Sequence, residues 1–302
     1  MIFRLDHVKK LLFKNIQKDV KKASIIFNMK FNTKNTFLYS NFIYTLDWFM
    51  SHYSPKEFEY ILIEQDVKSN IDIPEKYVIK KILLYNPQIF NRGWGYNVAV
   101  KYFMTTDVAI FCDSDIILEY PENIIQSVNI CKREKKLVSP YDYVTFTSRE
   151  EREKILRGET LKDCFKSDHP VTISGGIVTV NRSAFLEVGG FEEYQIYGGE
   201  DRSLDVIFLN KNTTQMLKGC GIHLYHLTNP TKKSFKNQDM LQHLKKTYNC
   251  VYNSKLKPND FIHLFCQHKN NLETHIQLKL KYFGDIDLYK NTNLEINSFP
   301  KL

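Results

Sequence analysis

The chain has 302 residues, of which 43% are hydrophobic and 25% are charged, and its formal net charge is +8. This composition is ordinary for a globular protein and excludes a chain that is mostly disordered. The six cysteines form no CxxC pair, which excludes a zinc knuckle, and no apolar run reaches the roughly 18 residues of a membrane-spanning helix. The positive charge favours an anionic partner such as a nucleotide diphosphate or an anionic lipid. Because no nucleic-acid-binding signature is present, we expect no nucleic-acid partner.

Residues 1–22 predict a basic amphipathic helix. Its apolar side would carry Leu5, Val8, Leu11, Leu12 and Ile16, with lysines elsewhere. This pattern has two interpretations, a surface helix packed on the protein or a helix that lies on an anionic membrane surface.

Strands and helices alternate through residues 23–232, which we interpret as one domain. Strands are predicted at Ser24–Met29, Phe58–Ile63, Tyr77–Leu84, Val108–Cys112 and Val171–Val180, and helices at Phe37–Tyr53, Trp94–Met104, Pro121–Lys135 and Glu150–Arg157. This alternation predicts an α/β fold with a mostly parallel sheet flanked by helices, in which ligands bind at the carboxyl ends of the strands. Residues 233–302 are rich in Lys, Asn, Gln and His and predict a helical C-terminal extension, with helices at Asp239–Tyr248 and Asp260–His268.

Two carboxylates follow the strand Val108–Cys112. Asp113 and Asp115 flank Ser114, and residues two apart in an extended chain point to the same side. Such a pair suits a hard divalent cation, Mg²⁺ or Mn²⁺, which could neutralise charge on a diphosphate leaving group. The alternative is a loop whose acids cap the helix that starts near Pro121.

A second acidic cluster follows a glycine turn. Tyr197, Gly198 and Gly199 precede Glu200 and Asp201, and an apolar helical segment comes next. Acids are favoured at helix N-termini by the helix dipole alone. The alternative is a shaped site in which a carboxylate accepts a proton from an attacking hydroxyl.

Two histidines, His223 and His226, lie in the sequence GIHLYHLTNP at a predicted strand end. A neutral imidazole is a plausible metal ligand. Because residues three apart face opposite sides of a strand, we expect only one of the two to bind, and the sequence does not decide which.

Two segments together resemble a known group of enzymes. FNRGWGYNVAVKYFMTTDVAIFCDSDIIL and SGGIVTVNRSAFLEVGGFEEYQIYGGEDRSLDVIFL resemble, in the same order, segments of β-1,4-galactosyltransferases. Similar blocks occur in the catalytic domains of polypeptide N-acetylgalactosaminyltransferases and of bacterial chondroitin- and capsule-type glycosyltransferases. The resemblance extends from about Ala23 to Pro230 and implies a GT-A fold. It also implies transfer of a hexose or N-acetylhexosamine from a UDP-sugar to a hydroxyl of a glycan or glycolipid, with Mn²⁺ or Mg²⁺ and with inversion at the anomeric carbon.

The resemblance assigns expected roles to individual residues. Asp201 corresponds to the catalytic base, with Glu200 beside it. The expected metal ligands are Asp115, Asp113, and His223 or His226. The expected donor and nucleotide contacts are Gln65, Asp66, Arg92, Asn97, Asp113, Ser114, Gly175 and Gly176. The expected acceptor contacts are Tyr197, Gly198, Gly199 and Glu200, where Tyr197 replaces a Trp of the family.

Two other functions stay open, a nucleotidyltransferase and a non-catalytic nucleotide-sugar-binding protein. The first would need a Gly-rich basic loop after the first strand, where the chain has KFNTKN. The eukaryotic members of the family carry a membrane anchor and disulfides, and the sequence shows neither. The resemblance therefore implies a cytoplasmic enzyme of polysaccharide biosynthesis. Peripheral association with the inner membrane face or with a glycan-assembly complex is a further interpretation.

Overall fold

The computed structural model describes residues 21–30, 36–87, 90–159, 172–193 and 200–227, together with 273, 276–277, 279–280 and 283–286. The strands are β1 (Ala23–Met29), β2 (Phe58–Asp66), β3 (Lys80–Tyr85), β4 (Val108–Cys112), β5 (Ile116–Leu118), β6 (Leu137–Ser139), β7 (Tyr143–Phe146), β8 (Ile177–Asn181), β9 (Thr214–Met216) and β10 (Cys220–His223). The helices are α1 (Thr36–His52), α2 (Arg92–Val98, followed by a π-helical turn at Ala99–Phe103), α3 (Glu122–Glu134), α4 (Arg149–Leu156), α5 (Arg182–Glu187) and α6 (Glu200–Asn210). Across these described ranges, no helix is long and apolar enough to cross a membrane.

Seven strands form the main sheet, in the order β3-β2-β1-β4-β8-β6-β9. Strand β8 pairs antiparallel with both of its neighbours, and every other neighbouring pair is parallel. The predicted mostly parallel α/β sheet is therefore confirmed. Because β3, β2, β1 and β4 run in the same direction, their carboxyl ends meet at one edge of the sheet, where a ligand site is expected.

Helices cover both faces of the sheet, and the core lies on both sides of it. Along β4, Ala109 and Phe111 belong to one apolar cluster, which also contains Trp94. Ile110 and Cys112 of the same strand belong to the other cluster. This alternation explains why β4 is fully buried, as expected for a strand of a covered parallel sheet. Because β4 is buried along its whole length, the position of Asp113, which directly follows this strand, is well defined.

A second, three-stranded sheet has the order β5-β10-β7. Strand β10 pairs antiparallel with β5 and parallel with β7. Strands β5, β6, β7 and β9 were not predicted, because strands of three or four residues are too short to show a periodicity. This small sheet brings His223 opposite Ile116, next to the end of β4.

Three predicted strands have clearly different bounds in the structure. The strand predicted at Tyr77–Leu84 is β3, Lys80–Tyr85. Strand β2 continues past Ile63 to Asp66, so Gln65 and Asp66 are part of the strand. The segment predicted as a strand from Val171 forms a turn over residues 172–176, and β8 begins only at Ile177. The turn requires Gly176 at a φ of +73°, which is incompatible with a continuous strand.

Part of the predicted C-terminal extension packs into the main core. Ile276 and Phe283 are buried in the cluster that contains Trp94, and the Trp94 indole donates to the Asp285 carbonyl at 2.7 Å. Residues 273, 276–277 and 279–280 are helical. Of the helix predicted over residues 1–22, only Lys21 and Lys22 are described, and they are not helical. The helices predicted at Asp239–Tyr248 and Asp260–His268 lie outside the described residues.

Candidate active site

Asp115 lies between two imidazoles at the carboxyl edge of the sheet. The His223 Nε2 atom is 3.6 Å from one Asp115 oxygen, and the His226 Nε2 atom is 3.4 Å from the other. The three candidate ligand atoms all lie within 4.8 Å of one another. Burial raises the pKa of the Asp115 carboxyl, and the two imidazoles oppose this effect. One buried carboxylate and two imidazoles form a donor set that fits a divalent first-row metal ion.

Both histidines face Asp115, although the sequence predicted only one. Strand β10 ends at His223, and the following residues 224–227 have no regular secondary structure. The Leu224 amide donates to the Asp115 carbonyl at 2.7 Å, which ties this segment to the turn after β4. The alternation of a strand therefore does not extend to His226, and the expected placement of the two imidazoles on opposite sides was wrong for that reason.

Asp113 has different partners from Asp115. Its Oδ1 atom accepts a hydrogen bond from Arg92 Nε at 2.9 Å and lies 3.4 Å from the Tyr96 hydroxyl. Residues 114 and 115 form a turn, so the extended geometry assumed for the triplet is absent. Among the described residues, the group around Asp115 that could hold a metal contains His223 and His226 but not Asp113, whose role as a ligand stays a prediction. Ser114 lies in the turn and is half-buried.

Arg92 joins the two predicted acidic motifs. Its guanidinium bonds to Asp113, and its Nη1 atom lies 3.5 Å from a Glu200 oxygen. The Nη2 atom donates to the Ser174 carbonyl at 3.4 Å. Although burial acts to lower the pKa of Arg92, Asp113 and the other nearby acidic groups raise it well above its ordinary value. A buried positive charge therefore lies between two motifs that are far apart in the sequence.

Glu200 and Asp201 begin helix α6 and have different environments. Glu200 is buried, and this burial, together with Asp201, raises the pKa of Glu200 to about 7 against the opposing effect of Arg92. Asp201 is half-buried. One of its oxygens accepts from the Thr172 hydroxyl at 3.1 Å, and the other accepts from the Arg202 amide at 2.8 Å. Asp201 is thus a partly accessible carboxylate with a fixed orientation, which suits a proton acceptor.

The Gly175–Gly176 turn lies between these motifs. A Cβ atom on Gly176 would be 2.4 Å from the Tyr141 hydroxyl, and one on Gly175 would be 2.4 Å from Thr172 Oγ1 and 3.7 Å from an Asp201 oxygen. The Tyr141 hydroxyl also donates to the Gly175 carbonyl and accepts from the Ile177 amide at 3.0 Å. Contacts within the protein therefore already require both glycines. Their predicted contact with the donor stays a prediction.

Asp205 is a site residue that the sequence analysis missed. It lies one turn after Asp201 on α6, and its carboxylate accepts the amides of Ile173 at 2.7 Å and Ser174 at 2.8 Å. Burial raises the pKa of Asp205 to about 7. Asp205 thereby fixes the turn before the glycines to the helix of the second acidic motif. The four-residue spacing from Asp201 was the available signal.

Gln65, an expected nucleotide contact, is held by internal hydrogen bonds in this structure, and its contact with a nucleotide stays a prediction. Its side chain is fully buried, its amide nitrogen donates to Asn28 Oδ1 and to the Asn91 carbonyl, and its amide oxygen accepts from Asn86 and from the Asn91 amide. All of its hydrogen-bonding capacity is used within the protein. Gln65 connects strand β1, through Asn28, to the loop that follows β3. Asp66, at the end of β2, stays a candidate contact.

Asn97 is also an internal residue. It is fully buried, and its amide donates to the Phe191 carbonyl at 2.9 Å and to Glu193 at 2.8 Å, while its oxygen accepts from the Phe191 amide. It fixes the loop after α5, and its contact with a donor stays a prediction. The expected acceptor residues Tyr197, Gly198 and Gly199 lie outside the described residues.

No protein-family model matches the chain, and no curated protein matches it. Among solved structures, the chain is similar to a mutant of Drosophila β1,4-galactosyltransferase 7 in complex with manganese, UDP-Gal and xylobiose, with 13% identity, a TM-score of 0.47, and coverage of 78% of this chain and 83% of that chain. It is also similar to GalNAc-T7 with UDP, GalNAc and Mn²⁺, with 12% identity and a TM-score of 0.51. That match covers 85% of this chain and 54% of GalNAc-T7, so the chain spans about half of its length. The likeness to GalNAc-T7 shows that this protein has the GT-A fold.

Proposed function

We propose that this protein is a metal-dependent glycosyltransferase that moves a hexose or N-acetylhexosamine from a UDP-sugar to a hydroxyl of a glycan or glycoconjugate. The observation that carries the proposal is the meeting of two groups at the carboxyl edge of a GT-A sheet. One group is Asp115 with its two imidazoles, and the other is the Asp113–Arg92–Glu200 ion cluster. The GalNAc-T7 structure, which shares the fold, contains UDP, GalNAc and Mn²⁺, and this supports the same class of ligands for this chain.

Asp115, His223 and His226 would hold the metal ion. Two nitrogen donors favour Mn²⁺ over Mg²⁺, because Mg²⁺ prefers an all-oxygen environment. When bound, a divalent cation supplies positive charge that neutralises the diphosphate of the departing nucleotide. Arg92 would add a second, permanent positive charge at the same edge of the sheet.

Asp201 is the proposed general base. As the acceptor oxygen bonds to the anomeric carbon, its proton moves to an Asp201 oxygen, and the bond from that carbon to the diphosphate breaks with both electrons leaving on the nucleotide. Attack from the face opposite the leaving group inverts the anomeric centre. The Thr172 hydrogen bond orients the Asp201 carboxylate for this step. Glu200, which lies beside Asp201, would contact the acceptor.

A binding panel tests the donor and metal assignments. Thermal unfolding of the full chain would be measured with UDP-Gal, UDP-Glc, UDP-GalNAc, UDP-GlcNAc and GDP-Man, each with Mn²⁺ and with EDTA. We expect stabilisation by a UDP-sugar that requires Mn²⁺, because a ligand that binds the native state raises its melting temperature. A folded protein that responds to no nucleotide sugar in the presence of Mn²⁺ would contradict the proposal.

The base assignment is tested by Asp201→Asn. UDP release from the donor would be measured in the presence of a panel of free glycosides. We expect kcat to fall by about 10²-fold or more while donor binding is kept. The matched control is Asp107→Asn, the same change at an exposed residue next to the opposite end of β4, which should leave kcat unchanged. Normal turnover by Asp201→Asn would exclude Asp201 as the base, and binding without turnover by the wild type would indicate a non-catalytic protein.

A further inference from the structure

The segment that carries His226 is positioned by side chains from other elements. Residues 224–227 have no regular secondary structure, and Leu224, which is fully buried, is tied through its amide to the Asp115 carbonyl. The N–H and C=O groups of Tyr225 therefore need hydrogen-bond partners in other parts of the protein, because a short irregular segment has no backbone hydrogen bonds of a helix or sheet. Two buried polar residues provide them.

Asn41 is the first of these residues. It lies on α1, is fully buried, and donates from Nδ2 to the Tyr225 carbonyl at 3.1 Å. Its Oδ1 atom accepts from Arg152 Nε, on α4, at 2.6 Å. Since an arginine can only donate and a carbonyl can only accept, these two partners fix which end of the amide faces which. Arg152 thus makes Asn41 a donor toward the residue that immediately precedes His226.

Arg152 is itself held in place. It is 3% exposed and donates to Glu153 at 2.5 Å and to the Ser40 hydroxyl. Its guanidinium also lies 4.9 Å from the centre of the Phe37 ring. The same ring packs edge-on against the Tyr225 ring, with 5.5 Å between centroids. The backbone and the side chain of Tyr225 are therefore both held by residues of α1, and α4 orients that contact.

Thr147 is the second buried partner. It follows β7, and its hydroxyl accepts from the Tyr225 amide at 2.9 Å and donates to the His223 carbonyl at 3.1 Å. Its own amide donates to the same carbonyl at 2.9 Å. Thr147 thus contacts the backbone of one candidate metal ligand and of the residue before the other.

We infer that Asn41 and Thr147 are positioning residues for the metal ligands His223 and His226, and that Arg152 acts through Asn41 by fixing the orientation of its amide. This inference rests on the proposed metal site and extends it to residues that do not touch the metal. Partners of this kind set the direction of the imidazoles, and their loss typically weakens metal binding by about 10- to 100-fold.

The test measures Mn²⁺ binding by the full chain, with the electron paramagnetic resonance signal of free Mn²⁺ as the readout. Asn41→Asp has the same shape and keeps an acceptor for Arg152, but it turns an acceptor toward the Tyr225 carbonyl. Thr147→Val removes the hydroxyl at constant volume. We expect each variant to weaken Mn²⁺ binding by about tenfold or more. Arg152→Lys keeps one donor but loses the planar guanidinium that contacts Asn41, Glu153, Ser40 and the Phe37 ring, so we expect it to weaken Mn²⁺ binding as well, by less than Asn41→Asp.

Asn181→Asp is the matched control. The Asn181 amide also donates to a carbonyl, that of Cys131 at 3.3 Å, and its oxygen caps helix α5, which an aspartate can do as well. Asn181 pairs with Val108, at the end of β4 opposite to Asp115. Its substitution should leave Mn²⁺ affinity unchanged.

Three results would overturn the inference. If folded Asn41→Asp and Thr147→Val bind Mn²⁺ as tightly as the wild type, the two residues do not position the ligands. If Asn41→Asp does not fold, Thr147→Val alone decides. An equal loss of affinity in Asn181→Asp would show that a general loss of stability is responsible. Failure of the wild type to bind Mn²⁺ would overturn the proposed metal site together with the inference. Binding by the wild type that the variants do not weaken would overturn the inference alone.

Discussion

The buried carboxyl of Glu200 gives a prediction about stability and pH. Its pKa is raised from an ordinary value of 4.5 to about 7, so the native protein keeps the proton to higher pH than the unfolded chain does. The free energy of unfolding should therefore fall as the pH rises from 4.5 to about 7, and this group should add no further change above that range. At about 1.4 kcal/mol per pKa unit, the fall is about 3 kcal/mol. Glu200→Gln cannot ionise and should lack it.

A difference between two proteins isolates this effect. Burial also raises the pKa values of Glu193 and Asp205 to about 7, but both residues are present in the wild type and in Glu200→Gln. Their contributions therefore cancel when the two unfolding free energies are subtracted. The attraction of Arg92, 3.5 Å from Glu200, is already contained in the raised pKa. Relative to the wild type, the variant should gain up to about 3 kcal/mol between pH 4.5 and pH 8.

The assay is urea unfolding at several pH values in the presence of EDTA, followed by fluorescence and circular dichroism. Glu187→Gln is the control, because Glu187 is exposed and its ion pair with Lys211 holds its pKa below the ordinary value. This control should show no gain with rising pH. A difference between Glu200→Gln and the wild type that is constant with pH would refute the reasoning, because it would mean that Glu200 titrates alike in both states.

Three further predictions follow from single contacts. His226→Ala should weaken Mn²⁺ binding by more than about tenfold, measured by calorimetry, and unchanged binding would exclude it as a ligand. Gly176→Ala should lower the free energy of unfolding by about 2 to 4 kcal/mol, because its φ is +73° and its Cβ would meet Tyr141. Gly158→Ala is its control, with a φ of +87° but nothing within 4 Å, and should cost only about 1 to 2 kcal/mol in the same urea titration. Gln65→Leu should lower the free energy of unfolding by about 2 to 4 kcal/mol, because Asn28 and Asn86 would lose their hydrogen bonds to the buried amide. An unchanged free energy of unfolding in urea would contradict the importance of these hydrogen bonds.

The sequence predicted the elements whose signals are local. Strand β4 is a buried apolar run of five residues, and the structure has the predicted bounds, Val108–Cys112. Helix α3 starts directly after Pro121, as the proline predicts. The sequence also placed both acidic motifs at the ends of elements, and these ends lie together in the structure. Each of these predictions depended on a pattern within about 15 neighbouring residues.

The features that the sequence did not predict depend on contacts between distant residues. The predicted strand ended at Ile63, yet pairing with β3 extends β2 through Gln65 and buries its amide. Arg92 was expected near the donor, but no periodicity could show that it would join Asp113 to Glu200. Likewise, the approach of His226 to Asp115 depends on where β10 ends, which its pairing with β5 and β7 determines.

The C-terminal residues that complete the core affect the order in which the protein can fold during synthesis. Ile276 and Phe283 fill space beside Trp94, and the Lys279 ammonium lies 3.5 Å from the buried Glu192 carboxylate. A growing chain presents its N-terminal part first, so the sheet leaves the ribosome before these residues do. Until they arrive, the apolar surface around Trp94 is exposed to water. The nascent chain therefore passes through a stage in which it is prone to aggregation and a suitable client for chaperones that bind apolar surface.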